Sequence, residues 1–261
     1  MSKNLYSDLK SFWANVIKKD VFSSNTNVDS LVKIILLKFA ENKRIYFSIF
    51  NFIDFKKEFS TPNTLEIFGV TEEAHREHGT ELLFSLFDKE HANGIIKTNE
   101  LIKTFLIDVK DEKDVLDFSF TYCGLKYHHS QKGVIKLLWK SKVIETSKIA
   151  KPIRNLSTFQ DITSMMKGDF YWFRAIFISS KRSYYMTYRS DTQEISKKDI
   201  LSIREKQILQ CIVEGKETEE IAQALFISKT TINNHRQNML NKLGARDTTS
   251  LIQLAKLTKL I

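Results

Sequence analysis

The stretch from Glu217 to Gly244, ETEEIAQALFISKTTINNHRQNMLNKLG, decides the fold of the C-terminal part of this chain. It predicts two short helices joined by a tight turn. Ser228 is expected to cap the second helix, because a serine hydroxyl accepts a free amide at a helix start. Gly244 is expected to end it, because glycine tolerates the left-handed conformation found there. The pattern indicates a helix-turn-helix.

The predicted second helix has two kinds of face. Its apolar residues fall near helical spacing and are Ile232, Met239, Leu240 and Leu243. Between them lie residue types that hydrogen-bond base edges and phosphates, namely Lys229, Asn233, Asn234, Arg236 and Gln237. One face is therefore expected to be buried and the other to contact a nucleic acid.

The distribution of charge changes at Ser228. The 261-residue chain has 40 Lys and Arg against 31 Asp and Glu, a net charge of +9. From Leu201 to Ile227 five acidic residues outnumber three basic ones, whereas from Ser228 to Ile261 six basic residues face one acidic residue. A local basic excess favours an anionic partner more than a dispersed one does. The basic surface thus begins at the predicted second helix.

Helix signals flank this stretch on both sides. Ser202 and Glu205 have the spacing of a capping box. Thr218 is expected to cap the next helix, and Asp247 or Thr248 the last one. Residues 201–261 therefore predict a compact domain of four helices. Its expected core is Ile208, Leu209, Ile212, Val213, Ile221, Ala222, Leu225, Leu251, Ile252, Leu254, Ala255 and Leu257.

Composition places the chain among ordinary globular proteins. Hydrophobic residues make up 42% of it, enough for a sizeable core. Cys123 and Cys211 have no metal-ligand spacing and are expected to be small buried hydrophobes. No signal-peptide pattern follows Met1, and the longest apolar run, 31–40, is too short to span a bilayer. We expect a reduced, cytoplasmic protein with no membrane partner.

The first 188 residues mix helical and strand patterns. Two strands, several helices and then three long consecutive strands predict an antiparallel sheet with helices on one side. The two N-terminal helices, separated by a break at 23–27, are expected to form core, with docking of a partner subunit as the alternative. Helices are predicted at 5–17, 28–41, 64–69, 72–87 and 92–106, and strands at 45–55, 58–63, 116–127, 133–145 and 155–163.

This order of elements resembles a PAS domain, a sensory fold. The matching residues are Ser60, the segments LEIFGVTEE (65–73) and FDKEH (87–91), Lys132-Gly133, and FQDIT (159–163). The resemblance implies a core at about 44–163 and a pocket between sheet and helices for an unknown small molecule. The helical extension is then 1–43 and the extra strands 164–188. No cofactor is predicted, since no cysteine lies in the Asn-Cys-Arg motif of flavin photoreceptors.

Residues 201–261 resemble the DNA-binding domain of the LuxR/NarL/FixJ family. The matching residues are Leu201, Ser202, Arg204, Glu205, Ile208, Leu209, Glu214, Gly215, Glu220, Ile221, Ala222, Leu225, Ile227, Ser228, Thr231, Ile232, His235, Asn238, Met239, Leu240, Lys242, Leu243, Gly244 and Arg246. The resemblance implies that the helix from Lys229 lies in the major groove of double-stranded DNA. It also implies a homodimer, because the last helix is the family's usual dimer surface.

Carried over by position, the resemblance implies two sets of DNA contacts. Asn233, Asn234 and Gln237 face base edges, and amide side chains suit adenine. Phosphate contacts are implied for Ser228, Lys229, Thr231, Arg236 and Lys242. This chain departs from the family pattern at Glu217, which replaces a usual Ser or Thr and is expected to lose a capping box. Glu219 replaces a common Lys, so nonspecific binding should be weaker.

Other interpretations stay open at this point. His75 and His78 have the spacing to bind a metal with Glu72 or Glu81, or belong to a solvated helix surface. The tract 170–188 interleaves aromatic and basic residues, as a single-strand-binding surface does, or forms a strand buried on one face. A helix-turn-helix that no longer reads DNA would make the chain a protein-interaction module.

No motif indicates an enzyme, because the chain lacks a phosphate-binding glycine loop and a nucleophile elbow. The sequence predicts an α+β protein with a PAS-like antiparallel sheet domain at 1–188, a linker at 189–200 and an all-α four-helix domain at 201–261. We interpret it as a sequence-specific transcription regulator whose first domain senses a signal or mediates dimerisation.

Overall fold

The computed structural model describes residues 5–16, 30–41, 44–107, 109, 111–178 and 183–261. The predicted break at 23–27 lies outside these residues, as do Ile17, Lys181 and Arg182. Within the described ranges no helix is both long and apolar enough to cross a membrane.

Helices and strands follow the predicted order closely. The helices are α1 (Leu5–Val16), α2 (Ser30–Ala40), α3 (Thr64–Phe68), α4 (Glu72–Ser85), α5 (Lys89–Ile107), α6 (Glu112–Leu116), α7 (Ile203–Val213), α8 (Thr218–Leu225), α9 (Lys229–Leu243) and α10 (Thr248–Leu257). The strands are β1 (Tyr46–Asn51), β2 (Lys56–Ser60), β3 (Ser119–His129), β4 (Gly133–Thr146), β5 (Pro152–Asp161), β6 (Trp172–Ile178), β7 (Ser183–Arg189) and β8 (Ile195–Ser196). The short helix α6 was not predicted.

The eight strands form one antiparallel sheet in the order β2-β1-β5-β4-β3-β6-β7-β8. The antiparallel sheet expected from the sequence is therefore confirmed. The β6–β7 hairpin extends the sheet beyond β3, and its side chains Trp172, Phe173 and Phe177 are buried. Buried rings cannot stack on bases, so the single-strand-binding interpretation of this tract is wrong.

The two faces of the sheet are covered by different parts of the chain. Leu9 of α1, Leu83 of α4 and Ile102 of α5 pack on one face, which we call the cavity face. Met239, Leu243 and other core residues of α7–α10 belong to a second cluster with the opposite face, which we call the docking face. Side chains alternate between the faces of a strand, so β3, β4 and β6 each supply residues to both clusters.

The two N-terminal helices have different environments. Leu9 on α1 is buried in the core of the cavity face, as the sequence predicts. On α2, by contrast, the side chains of Ile34 and Phe39 are 59% and 63% exposed. The core interpretation is confirmed at Leu9, whereas the other predicted core side chains of α1 lie outside the described ones. Leu36 and Ala40 of α2 are buried, but the rest of its described apolar side chains face solvent.

The segment predicted as a linker, residues 189–200, contains the last residue of β7 and the whole of β8. Arg189 and Asp199 in this segment both make ion pairs. The two cysteines are free and buried, which confirms their assignment as small hydrophobes.

Candidate DNA-binding interface and its contacts with the sheet

Side chains cap the helices that frame the candidate interface. Ser202 accepts the Glu205 amide at 3.2 Å while the Glu205 carboxylate accepts the Ser202 amide at 2.7 Å, so the predicted capping box is confirmed. Ser228 caps α9 by accepting the Thr231 amide at 3.0 Å. Gly244 ends α9 with a φ of 66°, the left-handed conformation that glycine adopts without strain. These local signals fix the length and direction of α9.

The start of α8 corrects two expectations. Its N-cap residue is Glu217, whereas Thr218 is the first helical residue. The Glu217 amide donates to the Glu220 carboxylate at 2.7 Å. The expected loss of the capping box is therefore wrong, because Glu220 still reaches back from the third helical position to the N-cap amide.

The buried face of α9 forms the centre of the C-terminal core. Ile232, Met239 and Leu243 are completely buried, in agreement with the spacing of apolar residues. They join Ile208 of α7 and Ile221 of α8 in a single cluster. Burial of this face orients α9 and leaves the opposite face in solvent.

The exposed face of α9 carries the amide side chains predicted to read bases. Asn233, Asn234 and Gln237 are all exposed and project from the same side of the helix. Gln237 donates to the Asn241 side chain at 3.1 Å, which extends the row of amides by one turn. This face can offer hydrogen-bond donors and acceptors in pairs, the chemistry needed to contact base edges.

The two hydroxyls predicted to contact phosphate are held together at the start of α9. The oxygens of Ser228 and Thr231 lie 2.8 Å apart, and Ser228 is the N-cap. The positive end of the helix dipole and the free amides of its first turn face the same side. This end of α9 is suited to an anion.

The three cations predicted to contact phosphate all have acceptors within the protein. Lys229 forms an exposed ion pair with Glu219 on α8. Arg236 is half-buried, and its guanidinium donates to the Thr218 hydroxyl at 3.4 Å. Both contacts tie α9 to α8, and the pairing of Lys229 with Glu219 also reduces the positive charge that the interface presents.

Lys242, the third of these cations, lies over a buried carboxylate. Its ammonium donates to both carboxylate oxygens of Glu205, at 2.9 and 2.8 Å. Burial favours the neutral carboxyl, but the hydrogen bonds from Lys242 and Ser202 outweigh it and hold the pKa of Glu205 below its usual range. Lys242 therefore joins α9 to α7, while 40% of its side chain stays exposed.

The last turn of α9 is completed by the sheet, a feature that no local sequence pattern indicates. The indole N–H of Trp172 donates to the Leu243 carbonyl at 3.2 Å. The Arg189 guanidinium donates to the carbonyls of Asn241 and Lys242 at 3.3 and 3.0 Å. Carbonyls at a helix end lack partners within the helix and favour a nearby cation. Groups of the first domain thus stabilise the C-terminal end of the helix that carries the predicted DNA contacts.

The end of α10 is held in the same way. Arg174 on β6 donates to the carbonyls of Thr258 and Lys259, and Lys140 on β4 donates to that of Leu257 at 3.0 Å. Arg174 also makes a bidentate pair with Asp199 at 2.6 and 2.8 Å. Burial opposes ionisation of Asp199, but the bonds and charge of Arg174 outweigh it and keep the carboxyl pKa low. This pair anchors the predicted linker to the docking face.

Consecutive residues of the central strands point alternately to the cavity face and to the docking face. Tyr122 and Cys123 are consecutive on β3, yet Tyr122 belongs to the cavity-face cluster and Cys123 to the docking-face cluster. Strand register continues both rows across the sheet. The cavity-face row is Trp139, Tyr122 and Phe173, and the docking-face row is Leu138, Cys123 and Trp172. A single layer of backbone separates the two rows.

A cavity lies between the cavity face and helices α1, α4 and α5. The volume of the cavity is about 80 Å³, well above the roughly 10–15 Å³ that one water molecule requires. Eleven of its nineteen lining residues are aromatic, including Trp139 of the cavity-face row. Its size and lining suit a small organic molecule.

The metal interpretation of His75 and His78 is wrong. His75 is buried with its Nε2 2.8 Å from the Lys57 ammonium, whereas His78 is exposed. The two rings do not converge, and a cation already occupies the position beside His75. Burial also contradicts the solvated-surface alternative for His75. Across the described ranges no three His, Cys, Asp or Glu side chains form a metal-binding group.

Comparison with known proteins bears on the C-terminal helices. Residues 199–255 match the family described as bacterial regulatory proteins, luxR family. The spore germination protein GerE of Bacillus subtilis is 41% identical over 54 residues, which cover 21% of this chain and 73% of GerE. The chain belongs to the luxR family. The matched segment contains all of α7, α8 and α9 and so includes the whole helix-turn-helix.

Outside this segment the similarity is weaker. The oxygen regulatory protein NreC of Staphylococcus aureus is 32% identical over 101 residues, and the chain spans about half of its length, 46%. VqmA of Vibrio cholerae, in a structure with ligand and DNA, is 15% identical to this chain. The superposition covers 88% of each of the two chains and has a TM-score of 0.31. Escherichia coli SdiA is 14% identical, covers 97% of this chain and 98% of its own, and has a TM-score of 0.26. TM-scores this low do not show a shared fold.

Proposed function

We propose that this luxR-family protein is a transcription regulator that binds double-stranded DNA in a sequence-specific way. The observation that carries the proposal is the exposed amide row of Asn233, Asn234 and Gln237 on a helix whose other face is buried. A good bidentate amide–adenine pair contributes roughly 1–3 kcal/mol of base discrimination. Phosphate contacts are assigned to Ser228, Lys229, Thr231, Arg236 and Lys242.

The test compares two substitutions on α9. Asn234→Ala should relax the choice of sequence, whereas Arg236→Ala should weaken binding to all duplexes about equally and lower the salt dependence. Because Arg236 is half-buried, its substitution could also disturb folding. Lys229 is exposed, and Lys229→Ala should likewise weaken binding to all duplexes and lower the salt dependence. Asn93→Ala, at an exposed position of α5 in the first domain, is the matched amide control. If none of the α9 variants alters duplex binding, the assignment of α9 is wrong.

We assign a sensory or dimerisation role to a PAS-like first domain. The strand order β2-β1-β5-β4-β3, with helices between β2 and β3 on one face, supports this assignment. The cavity beneath these helices supports a ligand-binding role. Trp139 and Leu138 are consecutive on β4 and face the cavity and the docking face, respectively. A ligand that shifts the Trp139 side chain would also shift the strand backbone and, with it, Leu138 on the docking face.

We propose that two copies act together on a two-fold DNA site, as helix-turn-helix dimers do. The exposed Ile34 and Phe39 of α2 support a contact between copies. Sedimentation should therefore show a dimer that the Ile34→Glu, Phe39→Glu double variant converts to a monomer. Ile203→Glu, at another exposed apolar residue, is the control and should stay dimeric. A wild-type monomer at all concentrations contradicts this part of the proposal.

The second candidate function is a protein-interaction module. The observation that favours it is the pairing of Lys229 with Glu219, which neutralises a cation on the face expected to meet DNA. Random-duplex selection distinguishes the two, because a module that no longer reads DNA enriches no sequence.

A further inference from the structure

The floor of the cavity consists of three cross-strand pairs between β1 and β5. Tyr46 lies opposite Phe159, Ser48 opposite Ser157, and Phe50 opposite Asn155. The Trp139 ring continues the first pair, stacked on Phe159 with ring centroids 5.2 Å apart. Ring faces and edges therefore surround the space on several sides, an arrangement that favours a planar aromatic guest over a flexible chain.

The third pair of the floor contains an unused acceptor. The Asn155 amide donates to the Ser141 hydroxyl at 2.6 Å and to the Ser157 hydroxyl at 3.3 Å. Its carbonyl oxygen, Oδ1, is buried and has no hydrogen-bond partner. A buried acceptor without a partner is costly, and a ligand hydroxyl or amine would satisfy it.

A cation lies two strands away from this acceptor. Lys57 on β2 is opposite Phe50, which is opposite Asn155, so the backbones of Lys57 and Asn155 are roughly 10 Å apart across the same face. Lys57 is one of the residues that line the cavity, and its ammonium lies 2.8 Å from His75 Nε2. Among the residues that the structure describes, no carboxylate pairs with it.

The charge beside Lys57 is unbalanced. Burial, reinforced by the positive charge of Lys57, lowers the pKa of His75 to about 4, so this imidazole is neutral at pH 7. Burial lowers the pKa of Lys57 to about 8, so at pH 7 most of its amine is still charged. A partly buried cation whose neighbour is a neutral ring is stabilised by any anion that reaches it.

We infer that the cavity binds a small aromatic acid that also carries a hydroxyl or amino group. Its ring lies over Phe50, its acidic group meets Lys57, and its donor meets Asn155 Oδ1. This inference rests on the proposed sensory role of the first domain and names the class of ligand. A saturated fatty acid also offers a carboxylate, but it leaves Asn155 Oδ1 unpaired and lacks a ring to match the aromatic walls.

Calorimetry on the full chain at pH 7 tests the class with a matched series. The probes are 4-hydroxybenzoate, its methyl ester without the charge, 4-methoxybenzoate without the donor, and octanoate without the ring. We expect 4-hydroxybenzoate to bind at least tenfold more tightly than each of the other three. Equal or tighter binding of octanoate, or of the uncharged ester, overturns the inference.

Two variants locate the binding groups. Lys57→Met should weaken 4-hydroxybenzoate at least tenfold and leave the ester unchanged, whereas Lys56→Met, at the exposed neighbouring residue, should bind like the wild type. Asn155→Ala should remove the preference for the hydroxyl over the methoxy compound. The wild-type series alone decides the matter if a variant fails to fold.

The outcome is separable from that of the proposed function. If no aromatic acid binds while the folded protein still selects a DNA sequence, the inference fails and the proposed function stands. If 4-hydroxybenzoate binds but no DNA sequence is selected, the ligand class stands and the proposed function fails.

Discussion

The indole of Trp172 donates to the main-chain oxygen of Leu243 at 3.2 Å, so a side chain of the sheet completes the last turn of α9. Arg189 satisfies the two preceding carbonyls. The helix that carries the predicted base contacts is therefore tied to the first domain at its C-terminal end. A change at Trp172 of β6 or Arg189 of β7 would alter the contacts at that end.

Trp172→Phe tests this connection between the domains. Phenylalanine keeps a buried ring but removes the donor, which leaves the Leu243 carbonyl unpaired at a cost of about 1–3 kcal/mol. We expect a lower free energy of unfolding and faster proteolysis within 189–200. Arg189→Gln should act in the same direction, while Arg76→Gln, an exposed arginine on α4, should change neither. Unchanged proteolysis in the Trp172 variant would show that the hydrogen bond does not hold the domains together.

Glu219→Gln tests the effect of acidic residues on DNA affinity. The substitution releases Lys229 and removes a negative charge next to the predicted phosphate contacts. Binding to all duplexes should tighten, roughly two- to tenfold, and the salt dependence should steepen by about one counterion. Titrations at several salt concentrations measure both, with Glu73→Gln on α4 as the control. Weaker binding by the Glu219 variant would contradict the assigned geometry.

The stability of the protein should fall in mild acid. His75 and His91 are buried, and burial lowers the pKa of each to about 4, against 6.5 for an exposed imidazole. Between these values the unfolded chain binds more protons than the folded one, so the free energy of unfolding decreases as pH drops from 6.5 to 4. Each histidine should account for about 1–3 kcal/mol.

Urea unfolding across this range measures the effect. The variants His75→Gln and His91→Asn keep an acceptor near the ring nitrogen that bonds Lys57 or the Lys126 amide, and should flatten the pH dependence. The exposed His78→Gln is the control. An unaltered profile in both buried-site variants would mean that other groups cause the acid sensitivity.

Phe226 ends α8 in the left-handed conformation, with a φ of 53°, and its side chain is 94% exposed. This conformation is unfavourable for a residue with a large side chain, whereas asparagine tolerates it. Phe226→Asn should therefore raise the free energy of unfolding by about 1 kcal/mol. Phe226→Ala removes the same ring but keeps the strain, so it should not stabilise the protein. Equal stability of the two variants would refute the explanation by strain.

Local signals made the C-terminal domain predictable. The cap at Ser228, the stop at Gly244 and the spacing of Ile232, Met239 and Leu243 depend on residues a few positions apart, and the structure confirms each of them. The start of α8 was less predictable, because glutamate is an unusual N-cap residue. The sequence pattern therefore did not indicate the hydrogen bond from the Glu217 amide to the Glu220 carboxylate.

Long-range contacts could not be predicted in this way. Trp172 and Leu243 are 71 residues apart, and no periodicity relates them. The position of Lys242 in the sequence predicts a phosphate contact, yet its ammonium pairs with Glu205 on another helix. Similarly, nothing local shows that His75 faces Lys57 across the first domain. Such contacts follow from how the elements pack, and the packing depends on the whole chain.

Selection from a pool of random duplexes tests the central claim most directly. With the wild-type chain we predict enrichment of a two-fold symmetric sequence whose half-sites contain adenines opposite the amide row of α9. The Asn234→Ala variant should enrich the same site with at least one position relaxed. If the wild-type protein is folded and enriches no sequence above the starting pool, the claim that α9 reads DNA is contradicted.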